Sequence, residues 1–471
     1  MCASKNPPEE SPPRPAADEA AAASAIMTKL KSVYISVFID VLGIGLVIPV
    51  LPYLILSFDN TGAAEVGLTI AAFSLCQIPG SIIFGAISDK YGRRPVLLLS
   101  IFSSAVSFLL CAFARDLPFI IAARCVSGLT GGSISVAQAY VADVTTVDER
   151  PRFLGLIGAT IGIAFTFGPG IGAGVAAAMD AAGASIQQQY SGVFFLAAGF
   201  SFLGFAFACR NLEESSGAGG AEPAAVEVAS GAAPAPARRS AVAVPILLVA
   251  LAMFASNYAF TVMQSTYGVL IFEEWGWSTG ALGLILVLSG LEIAVLQGKL
   301  IKGLVDATGK HGASFLACLC LGGGLALLPY TLFSKPLHFF SFALHVAGFS
   351  IGQTALPALL SRFASKEDQG KSLGLGQAFQ AAARVAAPVA SGFLYDNSKD
   401  IVGSEYAAPY IVGGAICVAA GLPLLCMLSK SRAEKEGAGS GSKVEEEEGG
   451  GAGEGGQGGA IVEAEMVEVN L

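Results

Sequence analysis

Residues 85–94 read GAISDKYGRR, and four of these ten residues are charged. The stretch lies between two long apolar runs, GLTIAAFSLCQIPGSIIF at 67–84 and VLLLSIFSSAVSFLLCAFA at 96–114. Because a membrane-spanning helix needs roughly 20 mainly apolar residues, this pattern predicts two spans joined by a short charged loop. In that loop, Gly85 allows a close backbone approach, and Gly92 can take a positive φ in the turn.

Apolar runs separated by short polar loops continue along the chain. Of its 471 residues, 54% are hydrophobic and 13% are charged, whereas about a quarter of a soluble domain is charged. The composition therefore predicts an all-α membrane protein and argues against a soluble enzyme. We expect twelve transmembrane helices, at roughly 30–56, 66–87, 95–114, 118–142, 153–178, 191–210, 242–271, 279–301, 313–333, 338–361, 372–394 and 408–428.

Most of the net charge of −9 lies in the two tails. Residues 1–26 carry a net charge of −2 and residues 433–471 a net charge of −8, so the body is close to neutral and predicts no nucleic-acid partner. With both tails in the cytoplasm, 22 of the 27 Lys and Arg residues fall on that side. Because positive residues collect in cytoplasmic loops, we expect a multi-pass integral membrane protein with both termini cytoplasmic. The sequence does not identify the membrane.

The two halves of the chain repeat each other. With a shift of 219 residues, SVAQAYVADVTTVDERPRFLG at 135–155 aligns without a gap on TALPALLSRFASKEDQGKSLG at 354–374. At nearly the same shift, GAISDKYG aligns on GLVDATG at 303–309 with one residue deleted. Two six-helix halves in parallel repeat are typical of transporters with a site between the halves. We expect a disordered tail at 1–29, a six-helix bundle at 30–210, a flexible linker at 211–240, a second six-helix bundle at 241–430 and a disordered acidic tail at 431–471.

Three stretches of the first half resemble signatures of the major facilitator superfamily. Within it, they resemble the tetracycline-resistance-like branch of twelve-span drug:proton antiporters. FIDVLGIGLVIPVLPYL at 38–54 looks like the first helix of that branch. GAISDKYGRRPVLLLS at 85–100 looks like the superfamily's loop signature, and GATIGIAFTFGPGIGAG at 158–174 looks like the antiporter signature of the fifth span. The resemblance implies the major facilitator fold and a secondary transporter that works by alternating access.

The charged loop has two interpretations. Topology explains Lys90, Arg93 and Arg94 as anchors on the cytoplasmic side, but it does not require Asp89. The resemblance implies a gating latch that depends on the access state. In it, Asp89 would face a helix N-terminus in the opposite half, and Arg93 would pair with Asp143 at the end of the fourth span. The predicted latch residues are Gly85, Asp89, Gly92, Arg93, Arg94 and Asp143.

Four charged residues within the predicted spans are candidates for proton coupling: Asp40, Arg124, Glu292 and Arg384. Asp40 lies about 15 Å deep at 1.5 Å per residue, where a carboxylate is costly and by default functional. Arg124 resembles the arginine of the superfamily's span-four motif and is the expected partner of Asp40. Glu292 is expected to pair with Arg384. The alternatives are a static, hydrogen-bonded acid at Asp40 and a structural salt bridge in the second half.

The fifth span is rich in glycine, and small residues four apart allow close helix contacts. The resemblance links this span to antiport, and its marked residues are Gly158, Gly162, Gly168, Pro169 and Gly172. Polar residues of other spans are candidates for a substrate cavity, with helix packing as the equal alternative: Gln77, Gln138, Asn257, Tyr258, Gln264, Gln353, Gln377 and Gln380.

The sequence carries no motif for ATP binding, for a zinc protease or for a serine hydrolase. Its nine cysteines include no CxxC pair, which predicts no metal site. We therefore expect neither an enzyme nor a cofactor, and we assign the energy source to a proton gradient. The leading hypothesis is proton-coupled antiport that exports a small organic or amphipathic solute.

Two alternatives stay open at this point. One is a proton-independent facilitator or a symporter of a metabolite, and the other is a non-transporting membrane receptor or scaffold. The expected partners are the solute, the proton and the lipid bilayer. We further expect a monomeric chain whose acidic C-terminal tail binds a protein partner.

Overall fold

The computed structural model describes residues 16–146, 149–215, 244–364 and 369–448. Within these ranges the first half of the chain forms α1 (Ala16–Val47), α2 (Leu51–Leu56), α3 (Ala63–Tyr91), α4 (Arg93–Ala112), α5 (Leu117–Thr130), α6 (Ser133–Val144), α7 (Arg150–Ala181) and α8 (Ile186–Asn211). The second half forms α9 (Val244–Trp275), α10 (Thr279–Val295), α11 (Ile301–Leu327), α12 (Lys335–Phe363), α13 (Gln369–Asp396), α14 (Ser398–Val402) and α15 (Ala407–Glu448).

Eleven stretches of the described residues are long and apolar enough to cross a membrane. Two of them join consecutive helices: Lys29–Leu56 contains α1's apolar part and α2, and Leu117–Val144 contains α5 and α6. α13 is not among the eleven, because Gln377, Gln380 and Arg384 lower its hydropathy. The protein therefore has the expected all-α membrane fold, while the crossing of α13 stays a prediction.

Helices extend into both of the predicted tails. α1 begins at Ala16, inside the expected tail 1–29, and α15 continues to Glu448, inside the expected tail 431–471. The other parts of the predicted tails and linker lie outside the described residues, namely 1–15, 216–240 and 449–471. The proposed disorder of those parts stays a prediction.

The two copies of the charged loop share one backbone feature. Gly92, between α3 and α4, has φ 96° and ψ 158°, and Gly309, inside α11, has φ 72° and ψ 165°. Both residues lie in the left-handed region of φ that favours glycine, and the sequence repeat aligns them. The chain thus turns at Gly309 as it does at Gly92, as expected for two repeated halves.

The two halves meet mainly along two pairs of helices, which we call the seams. α3 packs against α13, and α7 packs against α10, all within the compact unit Met1–Leu425. We call the end of this unit that holds the loop 85–94 the motif end. The opposite end, which holds residues 57–62, is the far end. The seams run between these two ends.

Candidate transport site and gates

Arg93 is the centre of a charged cluster at the motif end. Its Nε donates to Asp143 Oδ2 at 2.8 Å, and its Nη1 donates to Ser88 Oγ at 2.6 Å. The same Nη1 forms an ion pair with Asp89. Arg93 begins α4, while the two acids lie near the ends of α3 and α6, so one guanidinium joins three helices of the first half.

Among the described residues, Asp89 forms no hydrogen bond with a helix N-terminus of the opposite half. Its side chain is 67% exposed, and its hydrogen-bond partner among the described residues is Arg93. The nearby helix N-terminus, that of α4, is instead capped by Glu214, whose Oε1 accepts from the backbone N–H of Arg93 at 2.7 Å and of Arg94 at 3.2 Å. Within the described ranges the cluster therefore joins elements of one half, and the contact of Asp89 with a helix start of the opposite half stays a prediction.

The glycines of the loop have unequal roles. A Cβ at Gly92 would lie 2.9 Å from the Glu214 carboxylate, and φ there is positive, so glycine is required. A Cβ at Gly85 would meet no described atom within 4 Å, so the described residues show no close approach at Gly85. Arg94 donates from Nη2 to the carbonyl oxygen of Cys209 at 3.0 Å, which joins α4 to the end of α8.

Asp40 is buried, with 2% of its surface exposed. Its Oδ2 accepts a hydrogen bond from Ser133 Oγ at 2.6 Å, and Ser104 lies within hydrogen-bonding reach. Its Oδ1 has no hydrogen-bond partner in the described part of the chain. Ser133 is the first residue of α6, which begins after a break at Gly131 and Gly132. The carboxylate therefore lies where the helix dipole favours a negative charge.

Arg124 and Asp40 form no ion pair within the described ranges, so the predicted pairing is wrong. The Arg124 guanidinium is buried 5.9 Å from the centre of the Phe73 ring, and its Nε has no described partner. It lies near Cys111 on α4, whereas Asp40 lies near Ser104 on the same helix. Those positions are about 10 Å apart along the axis at 1.5 Å per residue. Depth therefore separates the two charges.

Glu292 and Arg384 also form no contact with each other among the residues that the structure describes. Gly283, Val287 and Gly290 form the face of α10 that contacts α7. Glu292 follows Gly290 by two positions, which turns it about 200° away from that face at 3.6 residues per turn. The expected pair fails because similar depth does not place two residues on facing helix surfaces.

Arg384, in contrast, lies on the seam face of α13. Pro388, Gly392 and Asp396 follow it at intervals of four residues and contact α3. Because residues four apart share a helix face, Arg384 continues this row one turn nearer the motif end. Its half-buried guanidinium is therefore placed toward the space between the two halves.

The seam between α7 and α10 is closed over only part of its length. α7 contacts α10 at Thr166, Gly170 and Ala173, and a Cβ at Gly170 would lie 2.4 Å from a side-chain carbon of α10. Gly162 and Gly158 continue the same face one and two turns nearer the motif end. A Cβ at either position would meet no atom of the described residues within 4 Å. This seam is therefore closed toward the far end and open toward the motif end.

The other signature residues of α7 contact α1, also in the first half. A Cβ at Gly172 would lie 2.1 Å from the carbonyl oxygen of Leu46, and one at Gly168 would lie 2.8 Å from Gly45 Cα. Pro169 also lies against Gly45. Small residues thus bring α7 and α1 into backbone contact, as expected for two of the marked glycines.

The seam between α3 and α13 shows the same asymmetry. A Cβ at Gly67 would lie 2.0 Å from the carbonyl oxygen of Pro388, so the two backbones touch near the far end. Nearer the motif end, Ile78 lies on the same face of α3 as Gly67 and is 38% exposed. Both seams are thus closed at the far end, and the space between the halves opens toward the motif end.

The predicted cavity residues divide by burial. Five keep exposed surface: Gln77, Gln138, Gln264, Gln353 and Gln377. Asn257, Tyr258 and Gln380 are buried. Asn257 donates to the carbonyl oxygen of Met253 at 3.3 Å, and the ring of Tyr258 stacks on Phe254 with centroids 6.0 Å apart. These contacts favour packing roles for Asn257 and Tyr258 and leave the five exposed glutamines as the better substrate candidates.

A separate cleft of about 430 Å³ lies at the far end of the first half. The loop 57–61, Glu65, Arg115 and Gln187 contribute to its lining. The sequence-predicted site residues do not line it, so it lies apart from the predicted central site.

Sequence reasoning missed two carboxylates that cap the start of another helix. Glu214 caps α4, and Asp396 caps α3. The available signals were an acidic pair directly after the sixth predicted span and an acid just after the eleventh. Neither signal is specific, because acidic residues near the ends of spans are commonly solvated.

The protein is an all-helical membrane protein whose two repeated halves contact each other along two seams. Both seams close at one end, an arrangement typical of transporters. The chain belongs to the major facilitator superfamily. The family model described as "Major Facilitator Superfamily" matches residues 33–352 and 265–447. Membership confirms the expected fold class and the expected class of protein, a multi-pass membrane transporter.

The most similar relatives include resistance proteins of bacteria. The chain is 28% identical over 401 residues to the tetracycline resistance protein, class C, of Escherichia coli. The aligned region covers 84% of this chain and 96% of that protein. It is 26% identical to multidrug resistance protein 1 of Bacillus subtilis, over 77% of this chain and 88% of that protein. The tetracycline-resistance-like branch suggested by the signatures is therefore confirmed.

Solved transporters share the fold at lower identity. The human organic anion transporter MFSD10 (TETRAN) aligns with a TM-score of 0.60 and 21% identity, over 85% of this chain and 99% of that one. A D-xylose–proton symporter aligns with a TM-score of 0.66 and 16% identity, over 85% of this chain and 97% of the symporter. At these identities the similarity shows the fold alone.

Proposed function

We propose that the protein exports a small organic or amphipathic solute in exchange for protons, by alternating access. The observation that carries this proposal is the asymmetry of the two seams, which are closed at the far end and open toward the motif end. Transporters built from two repeats work by rocking one against the other around a central site. The names of the relatives, resistance proteins for tetracycline and for multiple drugs, support a drug-like organic solute.

Asp40 is the proposed proton carrier. One of its carboxylate oxygens binds Ser133, and the other has no described partner. A carboxylate within the membrane is costly, so uptake of a proton on the free oxygen would remove that cost. Arg124 keeps its charge throughout and would act on Asp40 through its field, since the two do not touch. Arg384, on the seam face, is the second candidate for coupling.

The motif end faces the cytoplasm in this proposal, and both termini lie on that side. The support is the count of 22 of 27 Lys and Arg residues on one side. The opening in the structure then faces the compartment from which an exported solute enters. We further propose that the chain acts as a monomer without a cofactor, and that a protein partner binds the acidic tail 431–471.

The test is transport in proteoliposomes that contain the full chain and a fluorescent amphipathic probe. An imposed pH gradient should drive the probe against its own gradient, and Asp40→Asn should abolish this movement while exchange of labelled for unlabelled probe continues. Asp400→Asn, at an exposed acid of α14, is the matched control.

Each other outcome points to a different function. Gradient-driven transport that survives Asp40→Asn would refute the proton role. Exchange by the unmodified protein that does not depend on a pH gradient would favour the facilitator. Binding of a partner by the tail without any transport would favour the receptor or scaffold.

A further inference from the structure

The start of α3 at the far end is capped by a residue of the other half. The backbone N–H of Ala63 donates to Asp396 Oδ1 at 3.2 Å, and that of Ala64 donates to Asp396 Oδ2 at 2.9 Å. Asp396 is the last residue of α13, in the second half, whereas α3 belongs to the first half. Its carboxylate therefore forms hydrogen bonds across a seam.

Local residues leave room for this remote cap. The first N–H groups of a helix have no partner within the helix, and the residue before it usually supplies an acceptor. Here that residue is Gly62, which has no side chain, and its own N–H donates to Glu65 Oε2 at 2.7 Å. A Cβ at Gly62 would lie 3.2 Å from Asp396 Oδ1, so the carboxylate occupies the space beside the glycine.

The remote cap is possible only when the halves are in contact. A Cβ at Gly392 would lie 2.5 Å from the carbonyl oxygen of Ala63, so α13 and α3 touch beside the cap. Tyr53 Oη donates to the carbonyl oxygen of Trp277 at 3.2 Å, a further hydrogen bond between the halves. Opening of the far end must break these contacts together.

The second half holds Asp396 in place. The neighbouring Tyr395 donates from Oη to Glu273 Oε2 of α9 at 2.7 Å. Ser398 Oγ accepts from the backbone N–H of Ala408 at the start of α15, at 2.9 Å. The end of α13 is thus fixed on both sides to its own half, and it would move with that half.

We propose that Asp396 is a gating residue of the far end: it closes the gate by capping α3 from the opposite half and releases that helix start when the halves separate. The inference rests on the alternating access proposed above. A capping bond within one half would stabilise every access state equally, whereas this bond stabilises only the state with a closed far end.

The experiment measures the distance between spin labels at Asp59 and Lys399, two exposed positions on opposite sides of the gate. It uses the full chain in lipid nanodiscs, with the native cysteines replaced by serine. Asp396→Ala should raise the ratio of open to closed molecules about fivefold, equivalent to about 1 kcal/mol for a lost helix cap. Asp396→Asn, which keeps an acceptor oxygen, should raise the ratio of open to closed molecules less than Asp396→Ala.

Gly62→Ser separates gating from simple fraying of α3. A serine hydroxyl at this position supplies a cap within the first half, but it cannot connect the halves. The double variant Gly62→Ser with Asp396→Ala should therefore remain as open as Asp396→Ala alone. An unchanged distance distribution in Asp396→Ala, or recovery of the closed state in the double variant, would overturn the proposal.

The outcome is independent of whether transport is observed. The distances are measured without solute and without a pH gradient, so the gate can fail this test while gradient-driven export by the unmodified protein persists. Conversely, loss of the proposed transport function would leave the measured effect of Asp396 intact.

Discussion

The two ends of α3 use carboxylates in different ways. At the motif end, the Asp89 and Glu214 carboxylates bind Arg93 and the start of α4, all in the first half. At the far end, the Asp396 carboxylate of the second half binds the start of α3. Contacts within a half move with it and stabilise it in every state, whereas contacts between halves exist in one state only. The comparison assigns a bracing role to the charged loop in this state and a gating role to the far end.

The largest expected effect comes from Gly67→Ala at the far end. The new Cβ would lie 2.0 Å from a backbone oxygen of α13, and overpacking of this kind costs up to about 3 kcal/mol. The ratio of closed to open molecules at the far end should fall by up to about a hundredfold, as measured by the distance between labels at Asp59 and Lys399. The solute export rate should fall with it.

Gly199→Ala is the matched control for that variant. A Cβ at Gly199 of α8 would meet no atom within 4 Å in the ranges that the structure covers. Both substitutions add the same helix propensity, so their difference isolates the contact with α13. Equal behaviour of the two variants would show that the backbone contact does not control the gate.

Arg93→Ala should weaken the first half and leave the far end closed. It removes charge-assisted hydrogen bonds from a guanidinium whose side chain is 15% exposed, so the free energy of unfolding in detergent should fall by about 2 kcal/mol. Asp89→Ala should cost less, because an ion pair with an exposed acid is worth little. A far-end opening in Arg93→Ala as large as that in Gly67→Ala would contradict the bracing role.

Glu214→Ala gives a smaller effect than Arg93→Ala and the closest comparison with Asp396→Ala. Each variant removes a carboxylate that caps a helix, so each should cost about 1 kcal/mol. For Glu214→Ala the whole cost should appear as a lower free energy of unfolding, with unchanged label distances at the far end. If Glu214→Ala opens the far end, the distinction between contacts within a half and across the seams fails.

The sequence was sufficient for the class of fold, because hydropathy, repeat and signature stretches depend on local composition. The Arg93–Asp143 contact followed from the loop signature, and the shared turn at Gly92 and Gly309 followed from the repeat. The turn depends on residues close along the chain, whereas the Arg93–Asp143 contact joins residues 50 positions apart and was accessible only through the resemblance to the superfamily.

The failed pairings depended on geometry between helices. Asp40 and Arg124 were matched as buried opposite charges, but they lie at different depths, beside Ser133 and Cys111 respectively. Glu292 was matched to Arg384 by depth but lies on the wrong face of α10. Helix rotation and the break before α6 decide these contacts, and hydropathy does not report either of them.

The gate at Asp396 was the feature least accessible to sequence reasoning. An acid at the end of one span and a glycine before another are ordinary taken separately. Their relationship appears only when α3 and α13 are placed together, 333 residues apart along the chain for Ala63 and Asp396. The access state likewise depends on which parts of both seams are in contact.

The central claim is that the two ends open alternately, and paired distance measurements test it most directly. Labels at Lys90 and Lys310 would report on the motif end, and labels at Asp59 and Lys399 on the far end, with Gly67→Ala as the perturbation in both cases. The account predicts that the far-end distance increases while the motif-end distance decreases in the same variant. Distances that change in the same direction, or a far end that opens without any change at the motif end, would contradict it.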